Sequence, residues 1–224
     1  PEMIRHWKCA GNVEKTVCVL LEASSALLAI DDDTQALVYL NKLGEIIEAV
    51  KKSENPFAKD HINHVEDYDY DVWIEGCCES LKGQALNHLG HVEEAMEHFH
   101  SAHSLLGTYL PQRPSRVHLR ILKEGFTQWL HHINPTSYVG TAPGHMAARL
   151  IEQARCLSHI FHNLLVQDRK AESLMVVLRH INMVEDTDTD LHELIIAYTC
   201  MMECCQLMNW SNLGLKYEYK AQVR

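Results

Sequence analysis

Apolar side chains recur every three to four residues along most of this chain. That is the period of an amphipathic α-helix, not the alternation of a strand. In VEKTVCVLLEASSALLAI (13–30) the period holds until Asp31-Asp32-Asp33 breaks it. From Thr34 to Lys52 it resumes, with Ala36, Leu37, Leu40, Leu43, Ile46 and Ile47 on one side. Aspartate ahead of a helix caps free amides and suits the positive end of the helix dipole. The two segments therefore predict an antiparallel hairpin. Further helices are predicted at 72–89, 93–106, 116–132, 146–166, 169–184, 191–208 and from 211 onward. Asp190 and Glu193 have the spacing of a capping box. Between these stretches, SENPFAKDHINHVEDYDYD (53–71) reads as a polar linker and NPTSYVGTAPG (134–144) as an exposed loop. The expectation is an all-α fold over 1–224, one helical-repeat region of antiparallel hairpins forming an irregular tetratricopeptide-like superhelix. Sub-units are expected at 1–52, 72–132 and 142–224, with linkers at 53–71 and 133–141.

The sharpest unit is GQALNHLGHVEEAMEHFHSA (83–102). Gly83, Leu86, Gly90, Ala95, Phe99 and Ala102 resemble the small-large-small code of a tetratricopeptide hairpin. Gly83 and Ala95 are read as points of close helix approach, Leu86 and Phe99 as groove fillers, and Gly90 as the turn. Gly107 then stops the second helix, and Leu110-Pro111 redirects the chain. Two weaker copies align on Ala36 (with Leu40 and Leu43) and Ala171 (with Met175 and Leu178). Their separations of 59 and 76 residues are not a fixed repeat.

Composition narrows the class. With only 10 glycines and 6 prolines, the chain lacks the turn residues that a β-sandwich or barrel needs at regular intervals. A net charge of −10 argues against nucleic acid, which demands a basic face. Sixteen histidines predict that the net negative charge falls steeply below about pH 6.5. The eight cysteines, with vicinal pairs Cys77-Cys78 and Cys204-Cys205 and with Cys18, Cys156 and Cys200 among apolar neighbours, read as buried reduced thiols. That implies a reducing, cytoplasmic setting. The most apolar run, Val17 to Ile30, is interrupted by Glu22, Ser24 and Ser25 and is too short for a membrane span. The chain does not begin with methionine and ends inside an apparent helix, LGLKYEYKAQVR, so it reads as a segment of a longer protein.

No catalytic constellation emerges. His98, His100 and His103 lie near Glu94 and Glu97, and His159 and His162 share a face with Cys156, but neither C-x-x-C nor H-E-x-x-H spacing occurs. They read as surface or half-buried histidines. DYDYD (67–71) and DTDTD (186–190) begin like calcium loops, yet the glycine and glutamate that such a loop requires are absent, and helix-capping linkers account for them better. QRPSRVHLRILK (112–123) gathers Arg113, Arg116, Arg120 and Lys123. It is a possible holder of phosphate or an acidic protein surface, but reads first as a solvated helix face because no phosphate cradle accompanies it. Trp7, Trp73, Trp129 and Trp210 read as core anchors. No catalytic, cofactor-binding or metal-binding residue is assigned.

Three stretches carry a more specific resemblance: IRHWKCAGNVEKTVCVLLEASSALLAI (4–30), AHSLLGTYLPQRPSR (102–116) and AARLIEQARCLSHIFHNLLVQDRKAESLMVVLRHINMVE (147–185). They resemble the C-terminal helical tail of the soluble, bicarbonate-responsive adenylyl cyclase family. Such proteins join class III cyclase domains, an AAA-type ATPase and tetratricopeptide-like repeats. The resemblance implies a parent that converts ATP, with magnesium, to cyclic AMP and pyrophosphate. It also implies that this segment is a non-catalytic scaffold whose partners are proteins or the parent's own domains. The cyclase aspartates match no position here. Two other readings stay open: a tetratricopeptide-type interaction adaptor, and the repeat tail of a STAND-type signalling ATPase.

Overall fold

The computed structural model describes residues 2–60, 62, 71–107, 109–111, 113–134, 137, 139–187 and 190–223. Among them are ten α-helices and no strand. The fold is all-α, built from helical hairpins. Of the DYDYD run only Asp71 falls among these residues, and of DTDTD only Asp186, Thr187 and Asp190. The chain divides into two compact units, Pro1–Gly107 and Thr108–Arg224.

The first unit holds α1 (Glu2–Cys9), α2 (Val13–Leu28), α3 (Asp33–Lys51), α4 (Val72–His88) and α5 (Val92–Leu105). α1 is the helix that apolar spacing did not predict, and none of its side chains is buried. Val13, Val17 and Leu20 of α2 meet Leu40, Leu43, Ile46 and Ile47 of α3 and Cys78 of α4 in one core. Phe57, inside the segment read as a linker, is wholly buried in that core. Cys18 is a correction: it is exposed, on the outer face of α2. Cys77, Cys78, Cys156, Cys200, Cys204 and Cys205 are buried free thiols.

The second unit holds α6 (Pro114–Ile133), α7 (Gly144–Val166), α8 (Lys170–Thr187), α9 (Leu191–Leu207) and α10 (Ser211–Val223). α8 is its central helix, packed against α6, α7 and α9. Ser173, Val176, Val177, His180, Ile181 and Val184 of α8 are all essentially buried. The loop before α7 is tied to the end of α8: Gly140 N donates to the Glu185 carbonyl at 2.9 Å and Ala142 N to the Asp186 carbonyl at 2.9 Å.

One turn recurs in both units. Gly11, Asp31, Gly90, Asp168 and Asn209 take positive φ. The next residue's amide then reaches back to the carbonyl five positions earlier: Asn12 to Trp7, Asp32 to Leu27, His91 to Leu86, Arg169 to Leu164 and Trp210 to Cys205. This closes the helix end and reverses the chain within a few residues. Asp and Asn tolerate the left-handed conformation through local hydrogen bonding, so a glycine-poor chain still makes tight hairpins. Side chains then start the following helix: Asn12 accepts from Lys15 N at 2.9 Å, Asp32 from Gln35 N at 3.3 Å and Asp71 from Trp73 N at 2.8 Å.

Candidate functional site

The residues singled out in the 83–107 stretch lie on one hairpin, α4/α5. A Cβ built on Gly83 would stand 2.7 Å from the Phe99 ring, so the side chain lying over Gly83 is that of Phe99. Ala95, Phe99 and Ala102 are wholly buried, whereas Leu86 is only partly so and Ala85 beside it is fully covered. Gly90 (φ 83°) and Gly107 (φ 99°) adopt the left-handed conformation that glycine tolerates best. Gly76 belongs with this set and was missed: a Cβ there would meet Leu106 at 2.8 Å. Gly76, Ser80 and Gly83 are all buried. They form a small-residue stripe at i, i+4 and i+7, against which α5 lays Leu106 and Phe99. That stripe was the available signal.

The second unit contains the opposite arrangement. On α6 the buried side chains are Val117, Glu124, Gln128 and His131, three of them polar. Glu185 of α8 gathers them. Its Oε2 accepts from Gln128 Nε2 at 2.8 Å and His131 Nδ1 at 2.9 Å; its Oε1 accepts from the Tyr198 hydroxyl at 3.0 Å and Lys220 Nζ at 3.3 Å. One carboxylate thus ties α6, α9 and α10 to α8. His131 Nε2 also lies 3.3 Å from Asp186 Oδ1. Burial alone would lower the His131 pKa, but Asp186 and Glu185 hold it up at about 9. Burial likewise would raise Glu185, but the His131 bond, with Lys220 and Tyr198, pulls it below the usual carboxylate range. One turn or two earlier, Glu124 pairs with Arg120 (2.7 Å) and Arg179 (3.2 Å) and accepts from Asn182 Nδ2 at 2.9 Å. Each buried charge has its partner, which is the condition for keeping it inside at tolerable cost.

Because these polar groups face inward, the apolar groups of α6 face out. Leu119 (69% exposed), Leu122 (71%), Phe126 (60%), Trp129 (54%) and Ile133 (60%) run along the outer side. Their steps of three and four residues are those of a coiled-coil seam. Phe126 and Trp129 stack, with ring centroids 5.5 Å apart. Beside the seam a groove of about 540 Å³ opens toward α10, lined by Phe126, Trp129, Leu178, Met201, Trp210 and Tyr217. At the N-terminal end a second hollow, of about 620 Å³, has Leu119 and Leu122 beside Arg116, Arg120 and Lys123. The expectation of tryptophan core anchors is corrected here: Trp129 and Trp210 (44% exposed) are surface residues of this face, while Trp7 and Trp73 are half-buried. The basic run is a helix face, as read, but it rims an apolar strip instead of open water.

The other candidates resolve individually. His98 pairs with Glu79 at 2.7 Å, not with Glu94 or Glu97. His162 bonds the Ser158 carbonyl at 2.8 Å and lies 3.5 Å from Glu203. Asp190 caps α9, accepting from His192 N and Glu193 N at 3.1 and 3.2 Å. The Glu193 carboxylate turns to Arg155 at 3.1 Å, so the reciprocal half of the box is replaced by a tertiary ion pair. His180 is fully buried, and neither ring nitrogen has a hydrogen-bond partner among the described residues. Burial, followed by the neighbouring His162 and His159, pushes its pKa down to about 3. Among the described residues no three His, Cys, Asp or Glu side chains group as metal ligands, and no helix is long and apolar enough to cross a membrane.

No family model and no solved structure matches the chain. It is similar to two curated proteins, adenylate cyclase type 10 of Oryctolagus cuniculus (23% identical over 229 residues) and of Homo sapiens (24% identical over 224 residues). Each alignment covers 98% of this chain and 13% of the relative, so the chain spans a small part of those proteins. The likeness to adenylate cyclase type 10 is distant in identity and nearly complete along this chain.

Proposed function

We propose that this chain is a non-catalytic, tetratricopeptide-like segment of a soluble adenylyl cyclase. Its work is to hold protein segments, either partners or the parent's own domains, beside catalytic domains encoded elsewhere in the same polypeptide. Those domains convert ATP, with magnesium, to cyclic AMP and pyrophosphate in the cytoplasm. The observation that carries this reading is the alignment of 98% of the chain with adenylate cyclase type 10. The α6 face supports the binding role, since an exposed run of large apolar side chains marks an interaction surface more often than a bare exterior.

Two measurements test it. The purified chain, given ATP and magnesium, yields no cyclic AMP; reproducible turnover that follows the protein through purification overturns the non-catalytic role. The sequence encoded upstream is expected to contain a P-loop within a few hundred residues and, before it, paired cyclase domains. A P-loop without cyclase domains assigns the segment to a STAND-type ATPase, and neither motif assigns it to an adaptor. The exposed α6 face favours the adaptor as second reading, because such a face needs only a partner.

A further inference from the structure

The exposed strip of α6 has a chemistry of its own. Apart from Glu124, which is buried and paired, α6 carries no carboxylate. Its flanks carry Arg113, Arg116, His118, Lys123 and His132, all exposed. Among the described residues no acidic side chain lies within ion-pair distance of Arg113, Arg116 or Lys123. This is a basic margin on a chain whose net charge is −10. In heptad terms Leu119, Leu122, Phe126, Trp129 and Ile133 occupy the seam, while Arg116 and Lys123 lie on one shoulder and His118 and His132 on the other. An antiparallel second copy of α6 laid on this seam would set the Arg116 and Lys123 shoulder against its own counterpart, so that self-pairing is disfavoured at the positions that choose coiled-coil partners. A helix with acidic shoulders meets no such repulsion.

We infer that α6 is a docking surface for an amphipathic helix of another protein, one that presents large apolar residues at three- and four-residue steps flanked by Asp or Glu. The inference rests on the binding-scaffold reading above and names its partner's chemistry. The partner's central apolar side chain enters the groove between Trp129 and Trp210, whose floor is formed by the buried Met201 and Tyr217. Its acidic shoulder faces Arg116 and Lys123. Apolar anchors supply affinity in such helix-in-groove contacts, and the charges fix direction and choice of partner.

The probe is a designed, fluorescein-labelled helical peptide with leucines at seam spacing and glutamates at both shoulders. Its control has the same leucines and lysines at the shoulders. Fluorescence anisotropy with the intact chain is expected to show binding of the glutamate peptide that weakens with salt, and at least tenfold weaker binding of the lysine peptide. The double variant R116E/K123E is expected to reverse that preference. Trp129→Ala is expected to weaken both peptides at unchanged melting temperature. Equal binding of the two peptides, or binding of neither, overturns the inference. So does a concentration-dependent dimer in sedimentation that Leu122→Glu dissolves, because the face is then filled by a second copy. None of these outcomes bears on whether the parent is a cyclase, which the upstream sequence decides separately.

Discussion

The α4/α5 hairpin and the α6/α8 pair solve the same problem with opposite materials. In α4/α5, contact is made by absence: Gly76 and Gly83 carry no side chain, and Leu106 and Phe99 occupy the space. In α6/α8, contact is made by charge and hydrogen bonds: Glu124, Gln128 and His131 of α6 meet Arg179, Asn182 and Glu185 of α8. The first arrangement leaves no exposed apolar stripe on either helix, Val72 being the exposed exception. The second leaves the apolar side of α6 uncovered. Dispersion and burial tolerate many partners, whereas a buried carboxylate accepts only donors placed at the right distance. The hairpin is therefore a generic packing unit, and the α6/α8 pair is a specific one that leaves an apolar face uncovered.

The sharpest way to break the comparison is at Phe99. Phe99→Ala opens a cavity over Gly83 and is expected to cost about 4 kcal/mol, read as a fall in the denaturation midpoint. A change under about 1 kcal/mol would mean that the hairpin collapses onto its glycines without penalty.

Next comes Glu185→Ala, which strands His131, Gln128, Tyr198 and Lys220. Removing one partner of a buried pair is expected to cost about 3 kcal/mol at neutral pH. The His131 pKa is raised to about 9, so its contribution is whole below about pH 6.5, the unperturbed value, and is lost as pH rises through 9. The penalty of Glu185→Ala should accordingly shrink when stability is measured at pH 10. A penalty independent of pH would place the effect in packing alone.

His180 gives the opposite limb. In the unfolded chain it takes a proton below about pH 6.5, while in the fold it stays neutral until about pH 3. Each unit of acidification in that window removes about 1.4 kcal/mol of stability. His180→Leu is expected to gain about 1 kcal/mol at pH 7, since two unpartnered buried nitrogens disappear, and to flatten the acid limb of stability against pH. An unchanged acid limb would move the origin of that limb elsewhere.

The smallest effect is expected at Leu122→Ser, on the open side of α6: under about 0.5 kcal/mol. Loss of more than about 2 kcal/mol in the isolated chain would show that this face is already packed, and the contrast between the two helix pairs would fail.

The helices were legible in the sequence because their causes are local. Expected ranges such as 34–52, 93–106 and 191–208 stand beside the observed Asp33–Lys51, Val92–Leu105 and Leu191–Leu207. Asn12, Asp32 and Asp71 cap within three residues of themselves. α1 was not legible, since it is only 8 residues long and no side chain of it is fully buried, although Ile4 leans on the core. The α4/α5 register was partly legible: Phe99 announced itself, but Gly76 did not, because its partner Leu106 lies farther away along the chain than Phe99 does from Gly83. The orientation of α6 was not legible at all. Its sequence holds two stripes at helical spacing, one apolar and one of Glu124, Gln128 and His131, and the general rule puts the apolar one inside.

The sequence by itself determined which residues are helical, where the chain reverses and which side chains have the size to fill or vacate a helix contact. Backbone hydrogen bonds and caps span a few residues, so their information is written nearby. Only the tertiary structure decided which way α6 faces. His131 finds Glu185 across 54 positions, and Gln128 finds it across 57. Donors and an acceptor that far apart along the chain meet only in the folded molecule, so nothing local to α6 marks which of its two stripes is to be covered.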